Sequence, residues 1–76
     1  MIPISNRQVK TRTYHLIFAQ GGEYGGCYAR IYAKNVDRAR EEAITRYGLK
    51  NYGGIEINEE RARALIKAFR LKEVTA

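Results

Sequence analysis

Apolar and polar positions change period along this chain, and each change marks a new element. From Thr11 to Gln20 the run TRTYHLIFAQ is rich in β-branched and aromatic residues and ends at glycines, which predicts a strand. Tyr14, Leu16 and Phe18 share one of its faces, and Thr13, His15, Ile17 and Ala19 share the other. Both faces are largely apolar, which suits a central strand covered on two sides. Cys27 to Ala33 alternates differently. Cys27, Ala29, Ile31 and Ala33 make a small apolar face, while Tyr28, Arg30 and Tyr32 make an aromatic and basic one. Between the two runs lies Gly21-Gly22-Glu23-Tyr24-Gly25-Gly26, whose paired glycines permit positive φ on both sides of a hairpin tip. The two strands are therefore expected to be antiparallel neighbours, with Tyr24 exposed at the tip.

The period then lengthens to that of a helix. Asn35 suits the N-cap, Asp37 favours the positive helix end, and Val36, Ala39, Ala43 and Tyr47 recur at helical spacing before Gly48 ends the run. Leu49 to Tyr52 reads as a turn, and Gly53 to Ile57 as a short third strand with Ile55 and Ile57 inward. Asn58 is a second N-cap, followed by Glu59 and Glu60 and then by an apolar stripe of Ala62, Leu65, Ile66 and Phe69. This second helix is expected to reach about Arg70 or Lys72, with Arg63, Lys67 and Arg70 on its opposite flank. The limits that follow are a flexible basic arm over 1–9, one α+β domain over 10–72 and a frayed tail over 73–76.

The order β-β-α-β-α and a right-handed crossover give a three-stranded antiparallel sheet of order 2-1-3. The doubly apolar first strand falls in the centre, and the first helix covers the face bearing Ala29 and Ile31. The second helix has three destinations: the same face, the opposite face, or a second copy of the chain.

Size and charge narrow the function classes. With 76 residues the chain is one domain, close to the length at which only about 60% of the unfolded surface is buried, so a large catalytic cavity is not expected. Its 14 basic residues outnumber 8 acidic ones for a formal charge of +6, which favours polyanions or acidic protein surfaces as partners. One cysteine, Cys27, excludes an internal disulfide, and with one histidine, His15, there is no zinc ligand set. Both residues read as packed structural groups, since no acid, base or nucleophile stands at a suggestive spacing. The Gly-rich segment lacks the Lys-Ser/Thr ending and following helix of a phosphate-binding loop. A non-enzymatic protein without metal or cofactor is the expectation. No apolar run reaches membrane-spanning length, and the first residues lack the apolar centre of a signal peptide, so the expected setting is the cytoplasm.

The constellation that carries chemistry is Tyr28, Arg30 and Tyr32 on one strand face, with Tyr24 at the loop tip and Lys34 just beyond. Tyrosine offers a flat stacking surface and arginine a planar cation, a pairing that serves protein hot spots and single-stranded nucleic acid alike. This face is either open as a binding surface or covered by the second helix as ordinary core. Arg7, Lys10 and Arg12 of the arm and Arg63, Lys67 and Arg70 of the second helix are further candidates for nucleic-acid contact.

The segment YARIYAKNVDRAREEAITRYG, a strand ending in small residues followed by an Ala-Arg helix closing on aromatic-Gly, resembles small phage-encoded accessory proteins of β-β-α-β plan, some anti-CRISPR proteins among them. The resemblance spans about a third of the chain and rests on Ala33, Ala39, Arg40, Tyr47 and Gly48, which are structural positions. It implies a compact, basic protein that acts by occupying a surface of a nucleic-acid-handling complex, in the host cytoplasm if phage-encoded. The alternatives are a stand-alone DNA- or RNA-binding domain and a structural homodimer formed through the second helix.

Overall fold

The computed structural model describes residues 11–74, and its first two strands follow the alternation of the sequence closely. Strand β1 is Arg12–Phe18 and β2 is Cys27–Ala33. They pair antiparallel with Tyr14 opposite Ile31, His15 opposite Arg30 and Leu16 opposite Ala29. Helix α1, Val36–Tyr47, starts at Asn35, whose side-chain oxygen accepts from the Arg38 amide at 2.8 Å. It stops at Gly48, where φ is +94°, a backbone conformation that side chains rarely adopt.

A single 3-10 turn, Leu49–Asn51, leads into β3, Tyr52–Glu56, which lies antiparallel to β1. Register shifts between Ile17 and Phe18, which face Gly54 and Tyr52, so Gly53 is the extra residue of a bulge. A Cβ at Gly53 would run into the Ile17 carbonyl oxygen and lie 2.9 Å from the Phe18 carbonyl carbon, so the glycine is what lets β3 close on β1. Ile55 packs against the core as expected, but Ile57 lies past the strand and is 65% exposed. Helix α2, Glu59–Phe69, is capped by Asn58 through the Arg61 amide. It ends with Arg70 in the left-handed conformation, the Leu71 amide returning to the Ile66 carbonyl at 3.0 Å.

The end of the chain, read from the sequence as a tail over 73–76, contributes a strand among the described residues. Lys72–Glu73 forms β4, parallel to β2, with the Lys72 amide on the Gly26 carbonyl at 3.1 Å and the Val74 amide on the Tyr28 carbonyl at 2.8 Å. The sheet is therefore four-stranded and mixed, of order β3-β1-β2-β4, in place of the expected three antiparallel strands. The predicted 2-1-3 order survives inside it. The addition also explains where α2 goes. β2, β3 and β4 all run in one direction; α1 carries the chain across β1 one way, and α2 carries it back the other way past β1 and β2. Two crossovers of the same hand stepping in opposite senses must lie on opposite faces. α2 accordingly stands over the face of His15 and Arg30, across the sheet from α1.

The core lies on the α1 side. Tyr14, Leu16 and Phe18 of β1 meet Ala29, Ile31 and Ala33 of β2 and Ala39 and Ala43 of α1, all buried. Among the described residues only Leu16 and Ile31 are large and fully enclosed, so the alanines, by letting α1 approach closely, set the thickness of the domain. Phe69, placed by the sequence on the apolar stripe of α2, is instead 62% exposed; Ala62 alone on that helix is fully buried, with Leu65 and Ile66 less enclosed.

Candidate functional site

α2 packs on β1 and β3 rather than on β2. The Tyr28, Arg30 and Tyr32 face is thus neither fully open nor covered: it forms the far side of a groove of about 400 Å³. Thr13 and His15 of β1 make the floor, and Glu59, Arg63, Ile66 and Lys67 of α2 make the opposite wall. Strand alternation places the three β2 side chains on this face, and helical spacing places Glu59, Arg63 and Lys67 one above the next along α2.

Tyr32 is 61% exposed, a large aromatic surface standing in solvent. Tyr28 is half-buried, its ring 6.1 Å from the His15 ring and its hydroxyl donating to Glu73 Oε1 at 3.4 Å. Between them Arg30 Nε lies 3.6 Å from Glu73 Oε2. The Glu73 carboxylate of β4 therefore rests on both a phenol and a guanidinium of β2. The Tyr32 hydroxyl first, then Glu73, push the Arg30 pKa further up, so this group stays cationic. Across the groove Arg63 is bound to Glu59 at 2.9 Å. Lys67, and Lys34 at the end of β2, have no carboxylate partner among the described residues.

His15 is 7% exposed at the groove floor. Burial, and then the positive charge of Arg30, lower its pKa below the usual 6.5 despite the opposing pull of Glu59 and Glu73. The imidazole is neutral near pH 7, so it adds a polar surface to the groove and no charge.

Charge is distributed unequally between the faces. On α1, Asp37 pairs with Arg40, Arg38 with Glu41, and Glu42 with Arg46, leaving that helix balanced. The groove sets Arg30, Arg63 and Lys67 against Glu59 and Glu73, a surplus of one positive charge carried by Lys67.

The other expected site residues are scattered. Tyr24 is not an exposed tip: the hairpin folds back, and its ring lies 4.7 Å from Phe18 and 5.5 Å from Tyr47, part of an aromatic cluster against the core. Arg12 and Lys34 border a second, more open depression of about 680 Å³ with Ile57, which shares Thr13 and Glu59 with the groove. Arg70 is exposed at the end of α2 and borders neither. Arg7 and Lys10 lie outside the described residues. Sequence patterns missed the two carboxylates, Glu59 and Glu73. Glu59 is already explained by the helix start, and a two-residue strand such as β4 is too short to show a period.

Chemically the groove offers stacking surfaces, cations and a neutral imidazole. Among the described residues no group of three or more His, Cys, Asp or Glu side chains is arranged to hold a metal ion, and no helix is long and apolar enough to cross a membrane. Comparisons with protein-family models, with curated proteins and with solved structures returned no match.

Proposed function

We propose that this chain is a non-catalytic binding protein that occupies a surface of a nucleic-acid-handling complex, the accessory-inhibitor role implied by its resemblance to small phage proteins. The observation that carries this reading is the position of Tyr28, Arg30 and Tyr32. An exposed tyrosine flanking an arginine is the composition of interface hot spots, and α2 stops short of covering it. α1 is balanced in charge while the groove on the other face carries a small positive surplus, which inclines that side toward a partner of opposite charge.

The test is retention of a partner from lysate by the tagged protein, before and after nuclease treatment, beside the double substitution of Arg30 and Tyr32 to Ala. The expected result is a nucleic-acid-handling protein, identified by mass spectrometry, that survives nuclease and is lost with the double variant. Binding to bare nucleic acid with no such protein retained would replace this reading with the stand-alone DNA- or RNA-binding domain. A homodimer through α2 is the third class, favoured by exposed Phe69 alone, and a mass in solution that stays monomeric with rising concentration removes it.

A further inference from the structure

We infer that the groove receives a single strand of nucleic acid, with a base stacked on Tyr32 and a phosphate taking the place that Glu73 holds against Tyr28 and Arg30. This deepens the reading above and rests on it for the setting, a complex that exposes such a strand.

The argument begins with what already occupies the anion position. A carboxylate on a phenol hydroxyl at 3.4 Å and a guanidinium nitrogen at 3.6 Å is an oxyanion held at long range by two donors, both on β2. Both distances exceed those of ordinary charge-assisted bonds, so a better-placed anion has interactions to gain. Phosphate suits a guanidinium because two of its oxygens can meet the planar fork together. Glu73 stands on a two-residue strand held to β2 at Gly26 and Tyr28, so its side chain can turn outward without breaking the pairing.

Stacking supplies the second part. Tyr28 and Tyr32 lie four residues apart on one strand face, roughly 13 Å along an extended chain, with Arg30 midway. Aromatic and cation thus stand side by side on one strand face, the two kinds of surface that single-strand binding uses, a ring for a base and a positive charge for the backbone. Tyr32, with more than half of its surface in solvent, is the ring ready to accept a base; Tyr28 is engaged with His15 and Glu73 and serves the phosphate. Duplex fits less well because its bases are already stacked on each other and offer no free face. Lys67 on the facing wall and Lys34 at the strand end are cations available to neighbouring phosphates. An acidic peptide would satisfy Arg30 and the lysines but leave the exposed face of Tyr32 without a flat partner.

The test is fluorescence anisotropy of labelled oligo(dT), oligo(U) and a mixed-sequence duplex over a salt series, with the wild-type protein and surface variants. Single strands are expected to bind more tightly than duplex, and affinity to fall as salt rises. Tyr32→Ala should weaken single-strand binding by about tenfold while Tyr32→Phe, which keeps the ring and loses the hydroxyl, retains it. Glu73→Gln should tighten binding severalfold, because it removes the competing carboxylate; a simple surface-charge effect would be matched by Glu60→Gln, outside the groove, and that result would overturn the phosphate assignment. Equal loss in Tyr32→Ala and Tyr32→Phe would overturn stacking. Retention of a nuclease-resistant protein complex without any oligonucleotide binding refutes the strand and leaves the proposed function intact, with an acidic protein segment as occupant. Groove-dependent oligonucleotide binding without such a complex does the reverse.

Discussion

Asn51 ties three parts of this fold together. Buried in the turn after α1, it accepts from the Glu23 amide at 3.0 Å and donates to the Tyr47 carbonyl at 2.7 Å, while its own backbone carbonyl takes the Ala19 amide at 2.9 Å. The hairpin tip, the end of α1 and the end of β1 meet on one residue. Asn51→Ala leaves two partly buried backbone groups without partners, and we expect a loss of about 2 kcal/mol in urea unfolding, with the tip loop exchanging its amides faster. Nothing in the sequence singles Asn51 out, because its partners are 28 and 4 residues away and such pairings leave no periodic trace. The caps Asn35 and Asn58, by contrast, are legible because a cap bonds three residues ahead in a fixed pattern. His15 gives a residue-scale prediction of another kind. Its folded pKa is lowered, chiefly by burial and then by Arg30, so the unfolded chain takes a proton more readily than the folded one. Its contribution is complete above the unfolded value and is lost as pH falls from there toward the folded value. The melting temperature of the wild type should drop as pH falls below about 6.5, ahead of the carboxylates, and His15→Gln should flatten that slope.

At the scale of elements, α2 is where pattern and packing part company. Ala62, Leu65, Ile66 and Phe69 form a regular stripe, but the helix sits over β1 and β3, and its last turn overhangs so that Phe69 meets solvent. The stripe predicts a strong loss on Phe69→Ala; the structure instead predicts a change within about 0.5 kcal/mol, readable as an unchanged urea midpoint. A large loss would mean that Phe69 packs against something beyond the described chain, such as a second copy. β4 is the opposite case, an element with no pattern that is nonetheless firmly placed. Its segment sets the Lys72 amide on the Gly26 carbonyl and the Val74 amide on the Tyr28 carbonyl, and brings Val74 against the core. Deleting residues 72–76 should cost about 1 to 3 kcal/mol and release the Tyr28 carbonyl, without abolishing the fold that α1 and the first three strands make. Unfolding of the truncated chain would show that β4 is needed to close the sheet. The first three strands and α1 are legible in the sequence because one face of each is buried against a single layer. The side taken by α2 is not, since it depends on β4, and so the groove as a space is hidden while its tyrosines and arginine are visible.

For the molecule as a whole, the balanced helix α1 and the slightly basic groove lie on opposite faces of the sheet. If partner binding runs through the groove, substitutions on α1 such as Arg38→Gln should leave the salt dependence of binding unchanged, whereas Lys67→Gln should make the slope shallower by about 0.7 for each phosphate it no longer neutralises. Equal effects from both faces would mean that the partner responds only to net charge. The short reach of β4 has a further consequence, for self-association. It pairs with Cys27 and Tyr28, so among the described residues the outer edge of β2 from Ala29 onward has no strand beside it. An open edge is a template for another copy, and natural sheets guard such edges with charge. Here Arg30 and Lys34 stand along it, so two molecules approaching edge to edge bring like charges together. The cations that would hold a partner also keep the protein from pairing with itself, and neutralising them to abolish binding exchanges one risk for the other, a sheet freer to aggregate.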